Sequence, residues 1–275
     1  MKYQKSFFGL LLVGLMSFVL TGCQPKTELI SVDLSAESST IADVSKIDKQ
    51  ADTDSTIKPT QDNNTIKSTS TNTEVITAEI PTKLILPVLF AQQAPFSNWN
   101  EAYQEACEEA SMIMADRYFK NLPLNETIMK AEIDKLFDWQ KTNNYKVDLT
   151  ANETVKILGD YFDLPAEVSR QVSIDRIKLE LFKGNLVIVP VAGRELKNPN
   201  FKQPGPIYHM LVIKGYDGDN FITNEPGTRK GDGFKYPYQR LLEAVHDWDH
   251  QLAEGGMTDE EMSRGERVMV IVKKI

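Results

Sequence analysis

Hydrophobic and polar positions divide the chain into three stretches with different patterns. An apolar run over residues 7–20 follows Lys2 and Lys5. It is too short to span a bilayer comfortably and suits the core of an export signal. Over residues 24–80 no hydrophobic periodicity is present, so neither a buried helix face nor a buried strand face is predicted there. Apolar residues recur at three and four over residues 103–120, 127–143, 154–161 and 166–182, which predicts four helices. Runs of β-branched residues bounded by Gly, Pro, Asp or Asn predict strands over 186–191, 209–216, 220–225 and 268–274. A helix over 238–248 interrupts them. N-terminal helices followed by a mostly antiparallel sheet give an α+β fold class.

Composition assigns a role to each stretch. Ser and Thr fill 18 of the 57 positions in 24–80, with no aromatic and no Gly. Such a segment buries too little apolar surface to offset chain entropy, so a disordered tether with a reach of roughly 40 Å is expected. Aromatic residues return at Phe90 and continue to the end, which sets the folded domain at 84–275. The apolar run at the start closes with Leu20-Thr21-Gly22-Cys23. That sequence looks like the bacterial lipoprotein box, which implies a signal peptide over 1–22, lipidation of Cys23 and a tether over 23–83. A lipoprotein held to the extracytoplasmic face of a bacterial membrane by its N-terminal lipid is the expected location.

Lys and Arg total 31 against 39 Asp and Glu, a formal charge of −8. A negative chain has no electrostatic grip on phosphates, so nucleic acid is not an expected partner. With only Cys23 and Cys107, a disulfide scaffold and a zinc site built on several thiolates are excluded.

Cys107 is the thiol that remains once Cys23 carries lipid. It sits near the start of the first helical pattern, where unsatisfied backbone N–H groups favour a thiolate, while the adjacent Glu108 and Glu109 would raise its pKa. A thiol nucleophile needs a base, and the base needs an acceptor that fixes its tautomer. His209 begins a strand that hairpins through Asp217-Gly218-Asp219-Asn220 into a second strand ending Asn224-Glu225-Pro226. In such a hairpin the start of one strand lies beside the end of the next, so His209 can meet Asn224 or Glu225.

These residues resemble the papain-like bacteriocin-processing peptidases, which cut after double-glycine leaders, together with their broader bacterial relatives. The matching stretches are AQQAPFSNW with Gln93, ACEEASMIMA with Cys107, YHMLVIKGYDG with His209, and ITNEPG with Glu225 or Asn224. The resemblance implies a papain-like cysteine peptidase fold in which Cys107 is the nucleophile and His209 the general base. It makes Glu225, or else Asn224, the residue that orients the imidazole. Gln93, with Gln92 as an adjacent rival, would join the Cys107 N–H in an oxyanion hole. Glu108 stands where many members have Gly, and Gln93 lies farther upstream of the cysteine than in the leader peptidases. Those peptidases are usually fused to exporters. This sequence has no Walker-type glycine loop and no second apolar span, so leader processing during export is not expected.

The expected activity is thiol-dependent amide or peptide hydrolysis with a peptide or protein substrate. A transglutaminase-like acyl-transferase and a catalytically degenerate surface protein that binds peptides or wall polymers are the competing readings. No organic cofactor and no metal are expected. His246 and His250 have helical i, i+4 spacing but lack the Glu of a zinc peptidase motif, and Asp217 to Phe221 departs from a calcium loop at its fifth position. The Pro- and Gly-rich loop from Gly193 to His209 is either a wall of a substrate cleft, with Arg194 or Tyr208 reaching substrate, or a plain crossover.

Overall fold

The computed structural model describes residues 79–253 and 256–275, together with the backbone of residues 27–28. The expected signal segment, Cys23 and most of the expected tether lie outside the described residues. In chain order the elements are β1 (Thr27–Glu28), β2 (Ile80–Pro81), β3 (Lys83–Ile85), α1 (Glu101–Gln104), α2 (Cys107–Phe119), α3 (Glu126–Thr142) and α4 (Ala151–Asp160). They continue with β4 (Ala166–Ser169), α5 (Ile174–Phe182), β5 (Leu186–Ala192), β6 (Tyr208–Asp217), β7 (Asn220–Asn224), β8 (Asp232–Pro237), α6 (Tyr238–Ala244), α7 (Asp259–Met262) and β9 (Met269–Val272).

β1 pairs with β2, and the main antiparallel sheet runs β4-β9-β5-β6-β7-β8 with β3 added on β6. β5 takes residues 208–213 of β6 and β3 takes residues 215–217, so the two share that strand lengthwise. The close approach of β3 requires glycine at 215, because a Cβ there would lie 2.3 Å from the Leu84 carbonyl oxygen.

All of β5 is buried. Leu186 and Ile188 pack into one core with α2, α3 and α4, while Val187, Val189 and Val191 pack into a second core with Ile177 and Leu181 of α5 and Leu241 of α6. A strand covered on both faces needs apolar side chains at every position, which is why 186–191 reads as a continuous run. Helix starts are fixed locally. Asn125 caps α3, Ser173 caps α5, and Thr150 with Glu153 forms a reciprocal capping box on α4.

Three expected helices are corrected. The one over 166–182 is a strand and a helix: residues 166–169 pair with β9, and Ser173, accepting from the Arg176 N–H, starts α5 afresh. The one over 103–120 breaks at Glu105 and Ala106, giving α1 and α2. The one over 238–248 stops at Ala244, where Val245 turns extended to bridge Val191. The sequence pattern also missed β8, an edge strand whose Gly233 and part-exposed residues carry little apolar signal.

Candidate active site

α2 lies between the sheet and the helices α3 and α4, and residues Cys107 to Asp116 are all buried. Ser111 Oγ ties it to the sheet by donating to Met210 O at 3.3 Å. The N-cap of α2 is Ala106, which supplies no side-chain acceptor, and in its first turn the Glu108 and Glu109 carboxyls accept from their own backbone N–H groups instead. Gln93 braces the turn that leads into it, its Nε2 donating to Tyr103 O at 3.1 Å and Gln104 O at 2.7 Å. The Gln93 backbone N–H donates to Pro226 O at 3.0 Å, joining this turn to the segment after β7.

Cys107, the first residue of α2, is 5% exposed. Its thiol donates to Glu108 Oε2 at 3.0 Å, and Glu108 Oε1 accepts the Leu149 N–H at 3.1 Å. Burial pushes the pKa of the thiol well above its ordinary value, and the Glu108 and Glu109 carboxyls push it further. The two influences weighed at this helix start, dipole against neighbouring carboxyls, thus resolve toward a neutral thiol at rest. Burial raises both carboxyls too, Glu108 strongly and Glu109 to about 7, although Gln140 donates to Glu109 Oε1 at 2.7 Å.

His209 lies near the start of β6, 2% exposed, and its Nε2 meets Glu225 Oε1 at 2.5 Å. A carboxylate acceptor puts the ring proton on Nε2 and leaves the lone pair on Nδ1, the tautomer a general base requires. Glu225 is itself held on every side. Oε1 accepts the Gly227 N–H at 2.9 Å, Oε2 accepts the Tyr236 hydroxyl at 2.8 Å, and Asn198 Nδ2 donates to that hydroxyl at 2.6 Å. A Cβ at Gly227 would crowd this packing, standing 3.0 Å from His209 Cε1 and 3.2 Å from Glu225 Oε1. Phe201 meets the imidazole edge-on, ring centres 5.4 Å apart.

Asn224 points elsewhere. Its Nδ2 donates to Val88 O at 3.2 Å and Leu89 O at 2.9 Å, which fastens the segment after β3. Gln92 donates to Glu126 Oε1 at 2.8 Å, toward α3. Gln93, Cys107 and His209 line one cleft of about 990 Å³, and Glu105, Asp148, Tyr208, Trp99 and Trp248 share its walls. Residues 200–207 line it as well, so the second half of the long loop is cleft wall. Arg194 is not part of that wall; it pairs with Asp259. The His246 and His250 side chains diverge, one to Gly265 O and the other to Glu153, and among the described residues no three metal-ligating groups converge.

Tyr236, Asn198 and Phe201 are the supporting residues that sequence reasoning missed. Tyr236 reaches Glu225 only through the pairing of β7 with β8, and β8 left no readable pattern.

The model of the Peptidase_C39 like family matches residues 88–251, a span that includes Gln93, Cys107, His209 and Glu225. The crystal structure of a Bacillus anthracis chain assigned as a C39-like peptidase aligns with 14% sequence identity and a TM-score of 0.44, covering 70% of this chain and 98% of that one. No curated protein matches.

Proposed function

Since this chain belongs to the Peptidase_C39 like family, whose fold is the α+β, papain-like one expected from the sequence, we propose that it is a cysteine peptidase working through Cys107, His209 and Glu225. The observation that carries the reading is the short bond from His209 Nε2 to a fully buried Glu225, which has its own hydrogen bonds from Gly227 and Tyr236. An imidazole so held presents Nδ1 as a base in the cleft that Cys107 also lines.

The resting thiol donates to Glu108, so the first step is rotation of the sulfur away from that carboxyl toward the imidazole. His209 then takes the thiol proton as sulfur attacks the substrate carbonyl, and returns it to the leaving amine. The Cys107 N–H at the start of α2 stabilises the oxyanion. Gln93 joins them only by releasing the two carbonyls to which it donates.

Cys107→Ala tests this directly: thiol-dependent cleavage of a mixed peptide library should vanish, and unchanged cleavage would remove the reading. Amine added to the same reaction separates hydrolysis from acyl transfer, since an acyl-transferase would yield the amide of the added amine. The Glu108 contact favours a second reading, a domain that binds peptides without cutting them, in which the library is bound but never cleaved. The Leu20-Thr21-Gly22-Cys23 sequence supports an extracytoplasmic, lipid-tethered location. Cys23→Ala should then release the protein from the membrane fraction, and an unaltered distribution would count against the anchor.

A further inference from the structure

The two halves of the cleft carry opposite charge. On the sulfur side stand Glu105, two residues before Cys107, and Asp148, next to the Leu149 whose N–H bonds Glu108. Glu108 in turn accepts from the thiol, so a short chain of bonds ties Asp148 to the nucleophile. On the imidazole side, Lys202 follows the Phe201 that packs on His209, and Arg229 and Lys230 follow Gly227.

Glu105 and Asp148 differ from the other acidic groups nearby. Glu153 bonds Thr150 and His250, Asp247 accepts the Ala151 and Trp248 N–H groups, and Glu225 is fully engaged. Among the described residues neither Glu105, which is exposed, nor Asp148, which is half-buried, receives a hydrogen bond or an ion pair; partial desolvation raises both above the ordinary carboxylate value, against the opposing charges of His209 and His250. A third acceptor in the same cleft is also unfilled. Gln93 is 3% exposed, its Nε2 is spent on carbonyls, and its Oε1 has no donor. A buried acceptor without a donor is costly, and substrate N–H groups would relieve it. The indoles of Trp99 and Trp248 line the cleft too, and aromatic faces suit both a cation and its alkyl stem.

We propose that the cleft takes a peptide whose cationic side chain, Lys or Arg, seats against Glu105 and Asp148 on the sulfur side of the Cys107–His209 pair. This deepens the peptidase reading and rests on it for the location of the scissile bond. An organic cation fits better than a metal ion, because no set of three ligands converges there among the described residues. The basic rim formed by Lys202, Arg229 and Lys230 makes the preference local: one positive side chain is read, and a uniformly cationic polymer is not favoured.

The test uses fluorescent octapeptides that carry Lys, norleucine or Glu at each position in turn. Cleavage is followed with the full chain and equilibrium binding with its Cys107→Ala variant. One position should favour Lys over norleucine about tenfold in binding and in cleavage. The preference should collapse in Glu105→Gln with Asp148→Asn. With the unaltered chain it should shrink toward parity in 1 M salt, a check that does not depend on the double variant folding. Equal binding of Lys and norleucine at every position, or a preference for Glu, would overturn the proposal. A Lys preference in binding without any Cys107-dependent cleavage would uphold it while removing the peptidase reading.

Discussion

α4 and α2 begin within reach of each other, and their first turns are built in opposite ways. At α4 the Thr150 side chain accepts the Glu153 N–H, Glu153 reaches back to the Thr150 N–H, and Asp247 accepts the Ala151 N–H at 2.9 Å. At α2 the N-cap is Ala106, which offers no side-chain acceptor, and the carboxyl one residue into the helix is shared between Leu149, the thiol and its own backbone N–H. The filled terminus holds structure together. The one without an N-cap side chain borders the cleft that Cys107 lines, at the cost of burying Glu108 and Glu109 beside a thiol.

The largest departure should come from Glu225→Gln, which leaves the side chain's shape but ends the carboxylate's grip on the imidazole tautomer. A loss of roughly 10²- to 10⁴-fold in kcat/KM is expected, with the circular dichroism spectrum retained. Ala106→Ser would make the start of α2 resemble that of α4, since its hydroxyl would accept a first-turn N–H. Turnover should then fall on the order of 10- to 100-fold while the unfolding midpoint moves little, and kinetics set beside thermal melts check both halves.

Glu109 gives a pH test of the burial at α2. Its folded pKa, about 7, lies above the ordinary carboxylate value, so its protonated form stabilises the fold at low pH and that stability is lost as pH rises through 7. Glu109→Gln should therefore equal the natural chain near pH 4 and exceed it at pH 8, by up to about 3 kcal/mol in denaturant unfolding. The smallest effect belongs to the filled terminus: Thr150→Ala should cost about 1 kcal/mol of stability and leave kcat unchanged.

How much of this was legible in the sequence follows from which forces are local. Continuous apolar runs and helical spacing are local, and α3 and the paired strands β5, β6 and β7 were read close to their bounds, while α4 begins three residues earlier than expected, at the Thr150 capping box. The hairpin logic was also enough to bring the start of β6 near the end of β7, although the ladder, shifted by a bulge, pairs Asn224 with Val212 and Glu225 meets His209 through its side chain. It did not distinguish Glu225 from Asn224. That depends on Val88 and Leu89, whose carbonyls Asn224 takes, and on Tyr236 from a strand the pattern missed. At 166–182 the helical spacing ran across two elements, since the ladder to β9 is a contact between residues about a hundred apart in the chain.

The account turns on the imidazole activating this particular sulfur. The measurement that addresses it most directly is the rate at which nitrophenyl acetate acylates Cys107, located by mass spectrometry, in the natural chain and in His209→Ala across pH. A neutral resting thiol assisted by a base predicts at least about a hundredfold advantage for the natural chain at pH 7, fading as alkaline solution ionises the thiol in both proteins. Equal rates for the two at pH 7 would contradict it.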